Sequence, residues 1–151
     1  MNETIKIENI VLNNVLYGIC EISGSELQSI QNRLVEVAAN NGAVLKGGIL
    51  TSLIEYDAIN NIAKMQIGIL TDNSVIDPSE FIFCEKFTMH NVVCFSFQGE
   101  SNKINEEISV FSQRLTVDEN LKPTGKIYNL IEYLSKNGDE MAAKVYIEVS
   151  T

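Results

Sequence analysis

Tyrosines and glutamates within strand-like segments have the clearest chemical potential in this chain. The word LIEY occurs twice, at residues 53–56 and 130–133, and places a glutamate inside each of two apolar segments. Aromatic rings attract a cation through their π face, and a nearby carboxylate offsets its charge. The pattern therefore predicts a site for an amphipathic, cationic small molecule. The candidate ligand-binding residues are Tyr17, Glu55, Cys94, Tyr128, Glu132, Tyr146 and Glu148.

Composition and charge narrow the classes of protein to consider. The net charge is −9, from 11 Lys and Arg against 20 Asp and Glu. This charge argues against nucleic-acid binding, which depends on neutralising phosphates. No apolar run reaches the roughly 18 residues that span a bilayer, and the first ten residues are polar and acidic. We therefore expect a cytoplasmic protein with no membrane segment and no signal peptide.

The cysteines and the single histidine do not form a recognisable reactive or metal site. Cys20, Cys84 and Cys94 show no CxxC spacing, and His90 is the only histidine. Buried free thiols are the simplest interpretation, and neither a metal nor a cofactor is predicted. The sequence also lacks a nucleophile elbow and a phosphate-binding loop. We therefore predict no catalytic residues.

An internal duplication explains the repeated word. Shifting the chain along itself by 77 residues matches Asn14 with Asn91 and Gly48 with Gly125. After the second LIEY the offset becomes 80, and the match continues to the final strand. Such a constant offset is typical of a repeat. The predicted organisation is one domain, 1–151, made of a first module at 1–72, a connector at 73–79 and a second module at 80–151.

Each module reads as two strands, one helix and two more strands. Cap-type residues precede the helices at 23–26 and 99–103, and Asn-Asn-Gly at 40–42 and Pro123 follow them. Short hairpin connections require largely antiparallel pairing. The predicted fold class is α+β, with duplicated β-β-α-β-β modules, helices on one face of the sheets and a groove on the other. The predicted strands are 5–10, 15–22, 48–56 and 63–70, then 81–87, 92–98, 126–133 and 142–149.

Strand side chains alternate between the two faces of a sheet, so apolar content identifies the side that meets the helices. In the LIEY strands, this argument assigns Leu50, Ile54 and Tyr56 to the helix-packed core, with residues 127, 131 and 133 as counterparts. The two glutamates then point to the other face, beside the tyrosines. That face is either an ordinary solvated sheet surface or a ligand groove in which a desolvated carboxylate selects cations.

Three segments of the second module resemble a known superfamily. These segments are VVCFSFQGES at 92–101, LKPTGKIYNLIEY at 121–133 and AAKVYIEVS at 142–150. They are similar to the helix entry, the turn into a tyrosine-bearing strand and the closing strand of gyrase-inhibitor-like domains. That superfamily includes the effector-binding domains of multidrug-responsive transcription regulators. Where relatives carry a Thr-Glu pair, this chain has Ala143 and Lys144, so Glu132 or Glu148 would have to replace the acidic residue.

The resemblance implies two modules related by a pseudo-twofold axis, with a ligand groove between them. The regulators carry a DNA-binding helix-turn-helix domain ahead of this module, whereas this chain starts with the first strand, so we expect a stand-alone module. The leading hypothesis is a domain that binds or sequesters a small hydrophobic or cationic molecule. The alternative is a protein-interaction module that binds a basic partner protein. A less favoured hypothesis is a hydrolase in which Glu132, with Tyr128 or Tyr146, activates water. The sequence leaves the oligomeric state open.

Overall fold

A computed structural model describes residues 5–23 and 26–150. Within this part of the chain the structure is mostly antiparallel β-sheet with two α-helices, an α+β fold. It divides into an N-terminal unit, Val11–Phe87, and a C-terminal unit formed by residues 5–10 and 88–150. The elements in chain order are β1 (Glu8–Ile22), α1 (Glu26–Asn40), β2 (Leu45–Asp57), β3 (Ile62–Thr71), β4 (Ile82–Glu100), α2 (Ile104–Asp118), β5 (Lys122–Leu134) and β6 (Glu140–Ser150).

Each predicted pair of opening strands is one long strand. β1 and β4 run without a break, so the order along the chain is β-α-β-β twice, and the predicted β-β-α-β-β pattern is wrong. At the positions of the predicted turns, Asn14 and Asn91 adopt left-handed backbone with φ of 59° and 54°. Asparagine tolerates this conformation as a single residue. The backbone is therefore locally irregular at these two positions, but the chain does not reverse.

In the N-terminal unit, β3 pairs antiparallel with both β1 and β2. One face of this sheet packs against α1, whose Leu34 and Val37 are buried against Leu16 and Ile67. Full burial of one such side chain is worth about 1.5–3 kcal/mol, so this contact determines which sheet face is covered. The predicted cap of α1 lies partly outside the described residues, because positions 24 and 25 are not described.

A bidentate ion pair ties α1 to the segment between β3 and β4. Arg33 donates from Nε and a terminal nitrogen to the two carboxylate oxygens of Glu80, at 2.9 and 3.0 Å. The hydrogen bond from Arg33, followed by those from the backbone of Glu80 and from Ser79, lowers the pKa of Glu80 to about 2. This pair anchors the segment that leads out of the N-terminal sheet.

In the C-terminal unit, β6 pairs antiparallel with both β4 and β5. Ile108 and Leu115 of α2 are buried against Val93, Val145 and Ile147, so α2 covers one face of this sheet. The helix follows a 3₁₀ turn and ends at Asp118, well before the proline, which lies inside β5. No helix among residues 5–23 and 26–150 is long and apolar enough to cross a membrane.

A β-bulge in each hairpin changes which side chains face the helix. In β2 the pairing passes from Leu53, opposite Met65, to Glu55, opposite Lys64, which leaves Ile54 as the inserted residue. In β5 the inserted residue is Glu132. The two LIEY words are therefore not in equivalent register, although their letters are the same. A bulge of this kind reverses the alternation of faces beyond it.

The bulges overturn part of the predicted assignment of faces. Residues directly opposite each other in an antiparallel pair share a face. Leu50 pairs with Gly68 and therefore lies on the face away from α1, whereas it was predicted in the core. Tyr133, also predicted in the core, pairs with Ala142 and lies on the face away from α2.

Candidate ligand-binding face

The predicted site residues divide between the two units. Tyr17 and Glu55 lie in the N-terminal unit, and the other five lie in the C-terminal unit. Six of the seven occur at paired strand positions on the sheet face that points away from the helix of their unit, namely Tyr17, Glu55, Cys94, Tyr128, Tyr146 and Glu148. The remaining residue is Glu132, at the β5 bulge.

One cross-strand row brings three predicted residues together in the C-terminal unit. Cys94 on β4 pairs with Tyr146 on β6, and Tyr146 pairs with Tyr128 on β5. Tyr128 and Tyr146 are only 5% and 4% exposed, and Cys94 is half-buried. Side chains paired in this way have Cβ atoms about 4.5–5.5 Å apart. The row is thus a continuous, largely buried strip of two aromatic rings and a thiol, called the aromatic row below.

On one side of the aromatic row, Glu132 already has a cationic partner. Its Oε2 lies 3.9 Å from Nζ of Lys144, and the two side chains are 43% and 46% exposed. Lys144 pairs with Leu130 in the neighbouring cross-strand row, two residues from Tyr146. Glu132 also contributes to the raised pKa values of Cys94 and Tyr146, so its charge acts on the aromatic row.

On the other side, Glu148 and Lys126 flank the ring of Tyr128. Thr124 donates a hydrogen bond from Oγ1 to Oε1 of Glu148 at 3.0 Å. Nζ of Lys126 lies over the Tyr128 ring, 5.3 Å from its centroid, in cation–π geometry. A hydrogen bond to Tyr128 is the main cause that raises the pKa of Lys126, and the charge of Glu148 adds to it, so this lysine remains charged.

Burial keeps the phenol and the thiol of the aromatic row neutral. Burial raises the pKa of Tyr146 to about 12, with smaller contributions from Cys94 and Glu132. Burial also raises the pKa of the Cys94 thiol, and the positive charge of Lys144 opposes that change. A cysteine reacts through its thiolate, so a raised pKa makes the thiol less reactive. This face is chemically suited to non-covalent binding.

In the N-terminal unit, Tyr17 and Glu55 are not brought together. Tyr17 pairs with Gly68, and its ring meets Phe87 edge-on at 5.6 Å. Glu55 pairs instead with Lys64. Lys64 and Gly68 are four residues apart on β3, which is roughly 13 Å at the rise of a strand.

Glu55 has a charged environment instead of an aromatic one. Lys64 lies between Glu55 on β2 and Glu21 on β1, and these residues line a cavity of about 180 Å³ with Asp57 and Ile62. The candidate residues of this unit therefore do not form an aromatic–carboxylate site.

Two lysines of the C-terminal unit lie beside the aromatic row but were not among the predicted site residues. Lys144 stands two residues before Tyr146, and Lys126 stands two residues before Tyr128. The period of two along a strand could have placed both lysines beside the tyrosines. Among the described residues, no three His, Cys, Asp or Glu side chains are grouped closely enough to hold a metal ion.

No protein-family model and no curated protein matches the chain. Solved structures do share its fold. EcmrR, in a cryo-EM structure of an EcmrR–DNA complex, matches over 98% of this chain with a TM-score of 0.67 and 13% identity. The match covers 57% of EcmrR, so this chain spans a little over half of that protein.

Two further structures match nearly end to end. SAV2435 bound to tetraphenylphosphonium has a TM-score of 0.57 and 10% identity, over 98% of this chain and 94% of its own. A hydrolase from Listeria innocua has a TM-score of 0.55 and 13% identity, over 96% and 92%. These likenesses are consistent with the effector-binding fold that the sequence resembles.

Proposed function

We propose that this chain is a small-molecule-binding domain of the effector-binding type, and that its ligand is an amphipathic cation held at the C-terminal unit. The observation that carries the proposal is the aromatic row, in which Tyr146 and Tyr128 lie side by side between two carboxylates, Glu132 and Glu148. The shared fold with SAV2435, whose structure holds tetraphenylphosphonium, supports the same class of ligand.

The chemistry of this face favours a lipophilic cation over a neutral or anionic compound. Two adjacent rings supply flat apolar walls, and each can contribute about 0.5–2 kcal/mol of cation–π attraction, depending on desolvation. The neutral thiol of Cys94 extends the apolar surface. Glu132 and Glu148 provide the negative charge that a bound cation needs, and an anion would be repelled by both.

The N-terminal unit is the less suitable half. Tyr17, the aromatic residue predicted to bind a ligand in this unit, lies far along the sheet from Glu55, and Tyr17 is paired with a glycine. We also propose that the two halves derive from a duplication. The repeated β-α-β-β order, and the left-handed asparagines at the matched positions 14 and 91, support that origin.

Calorimetric titration with tetraphenylphosphonium tests the proposed function. Wild-type protein is expected to bind it, and Glu132→Gln is expected to weaken binding by about two- to fivefold, the range for a partly exposed charge pair. Glu107→Gln removes the same charge from the first turn of α2 and is the matched control, with affinity unchanged. Absence of binding across a panel of lipophilic cations would contradict the proposal.

The two other functions have less support. A basic partner protein would meet the same carboxylates, but the tetraphenylphosphonium in the SAV2435 structure favours a small cation. The hydrolase alternative needs Tyr146 or Tyr128 to help Glu132 activate water, but a pKa raised to about 12 makes the Tyr146 phenol a poorer proton donor than an ordinary tyrosine. The Listeria innocua hydrolase shares the fold, and a shared fold does not transfer a reaction.

A further inference from the structure

We propose that Lys126 and Lys144 are built-in competitors for the cation position of this site, and that a ligand binds by displacing the ammonium of Lys126 from the Tyr128 ring. The inference rests on the proposed function, because it concerns the same face. It assigns the two lysines a role in specificity: they determine which cations can bind.

The position of Lys126 is the first argument. Its Nζ lies over the Tyr128 ring at 5.3 Å from the centroid, where a ligand cation would make its own cation–π contact. The Tyr128 side chain is only 5% exposed, whereas Lys126 is an exposed residue on a long, flexible stem. The ammonium can therefore move into solvent and vacate its position beside the ring for a ligand cation.

The balance of charge is the second argument. Glu132 and Glu148 contribute two negative charges, and Lys126 and Lys144 contribute two positive charges, so these four side chains sum to zero. The charge of Glu8 also acts on Cys94, but Glu8 is paired with Lys6 at 3.3 Å, so it leaves this balance unchanged. A cation that entered beside both lysines would add an uncompensated positive charge. Displacement of one ammonium restores the balance, which makes binding an exchange of one cation for another.

An exchange has a consequence for the class of ligand. A tethered ammonium competes at a high effective concentration because it cannot diffuse away. A small hydrophilic cation offers the ring and the carboxylates nothing that the lysine does not already supply. A cation with large apolar groups also buries hydrophobic surface, so it gains free energy that the lysine lacks. The site should therefore bind tetraphenylphosphonium and reject tetramethylammonium.

Substitution of Lys126 provides the test. Calorimetric titration would measure the dissociation constant of tetraphenylphosphonium for wild type, Lys126→Gln, Lys126→Arg and Lys103→Gln. Lys126→Gln is expected to bind about two- to fivefold more tightly, the range for loss of one exposed cation–π competitor. Lys126→Arg keeps a competing cation and is expected to return the affinity to that of wild type or below.

Lys103→Gln controls for the change in net charge. Lys103 is 60% exposed, and Glu100, 3.9 Å from its ammonium, lies outside the proposed site. The Lys103→Gln variant is expected to alter the affinity for tetraphenylphosphonium far less than Lys126→Gln. Lys144→Gln frees Glu132 and is expected to strengthen binding in the same direction as Lys126→Gln, which gives a second, independent variant.

The outcomes separate the two proposals. If wild type binds tetraphenylphosphonium but Lys126→Gln binds equally well or more weakly, competition is wrong and the proposed function stands. If Lys103→Gln gains as much as Lys126→Gln, the effect is one of net charge, and competition is again wrong. If neither wild type nor any variant binds a lipophilic cation, the proposed function fails and the competition inference fails with it.

Discussion

The central strand of each three-stranded sheet carries a different residue on the face away from the helix: Gly68 on β3 in the N-terminal unit and Tyr146 on β6 in the C-terminal unit. This difference distinguishes two otherwise similar sheet faces. In the N-terminal unit the cross-strand row is Tyr17, Gly68 and Leu50. In the C-terminal unit the corresponding row is Cys94, Tyr146 and Tyr128. The first row has one ring beside a glycine, and the second has two adjacent rings.

The comparison shows how one scaffold provides a closely packed face and a proposed binding face. At Gly68 a Cβ atom would lie 2.8 Å from Cβ of Tyr17 and 3.0 Å from the carbonyl oxygen of Leu16, so only glycine permits this close approach. Strand pairing matches Gly68 with Tyr146, and not with Glu148 as the sequence offset of 80 predicts. The C-terminal unit thus places an aromatic side chain at the position of the glycine and pairs it with a second one. The charged side chains also differ: Lys126 lies beside the ring of Tyr128, whereas Glu55 and Lys64 lie four residues along the sheet from Tyr17.

The largest expected effect is the loss of the central ring in the C-terminal unit. Tyr146→Ala removes a side chain that is 4% exposed and should lower the free energy of unfolding by about 3–5 kcal/mol, as buried aromatic truncations do. Urea denaturation would measure the change. Tyr146→Phe keeps the ring and is the control, with a much smaller loss. A loss below about 1 kcal/mol for Tyr146→Ala would show that the aromatic row is not a packed element.

A smaller effect is expected for the glycine of the N-terminal unit. Gly68→Ala introduces a Cβ against backbone and Cβ atoms that cannot rotate away, so it should cost about 1–3 kcal/mol of stability. Gly18→Ala is a useful contrast. Its added Cβ would meet ring atoms of Phe81, which can move, and a smaller loss in urea denaturation is expected. Equal stability of Gly68→Ala and wild type would remove the proposed reason for the glycine.

The smallest expected effect concerns acid stability, which differs between the units. The pKa of Glu80 is lowered from an ordinary value of 4.5 to about 2, chiefly by Arg33. A lowered pKa adds stability that is fully present above pH 4.5 and is lost as the pH falls toward 2.

Arg33→Gln should therefore lower the melting temperature at neutral pH, and its difference from wild type should shrink between pH 4.5 and 2. Melting curves across that range would measure the change. Lys144→Gln breaks the longer, half-exposed pair of the C-terminal unit and should show a weaker acid dependence. A constant difference between Arg33→Gln and wild type at every pH would contradict the role of Glu80.

Periodicity predicted much of the fold. The spacing of Leu34 and Val37 in α1, and of Ile108 and Leu115 in α2, placed both helices on the sheets, because a helical stripe must be buried. The alternation in β3 and β6 also identified the core faces correctly, through Ile67 and Ile147. The predicted turns within β1 and β4 were wrong, because asparagine accepts left-handed backbone within a strand as readily as in a turn.

The details of the candidate site were less predictable. The alternation of faces placed Cys94, Tyr128 and Tyr146 on one face, and the cross-strand pairing shows that they share a row. The bulges at Ile54 and Glu132 leave no clear mark in the sequence, so a constant alternation assigned one side of each bulge wrongly: Leu50 before the first bulge and Tyr133 after the second. The pairing of Glu132 with Lys144 depends on the register of the β5–β6 hairpin, which the sequence does not reveal. Whether any of these residues binds a ligand stays a prediction.

The bulges lie one position apart in the two LIEY words, so identical residues in the repeats have different structural positions. Side chains along a strand alternate between the two faces of the sheet, and one inserted residue moves every later side chain to the opposite face. In the first word Glu55 and Tyr56 follow the bulge at Ile54, whereas in the second word Glu132 is itself the inserted residue. The two Glu-Tyr pairs therefore differ in their position on the sheet. Two repeats can thus acquire distinct surfaces without any substitution in the shared word. Comparisons of such repeats should align them by strand pairing, because matching letters alone would equate residues that face different surroundings.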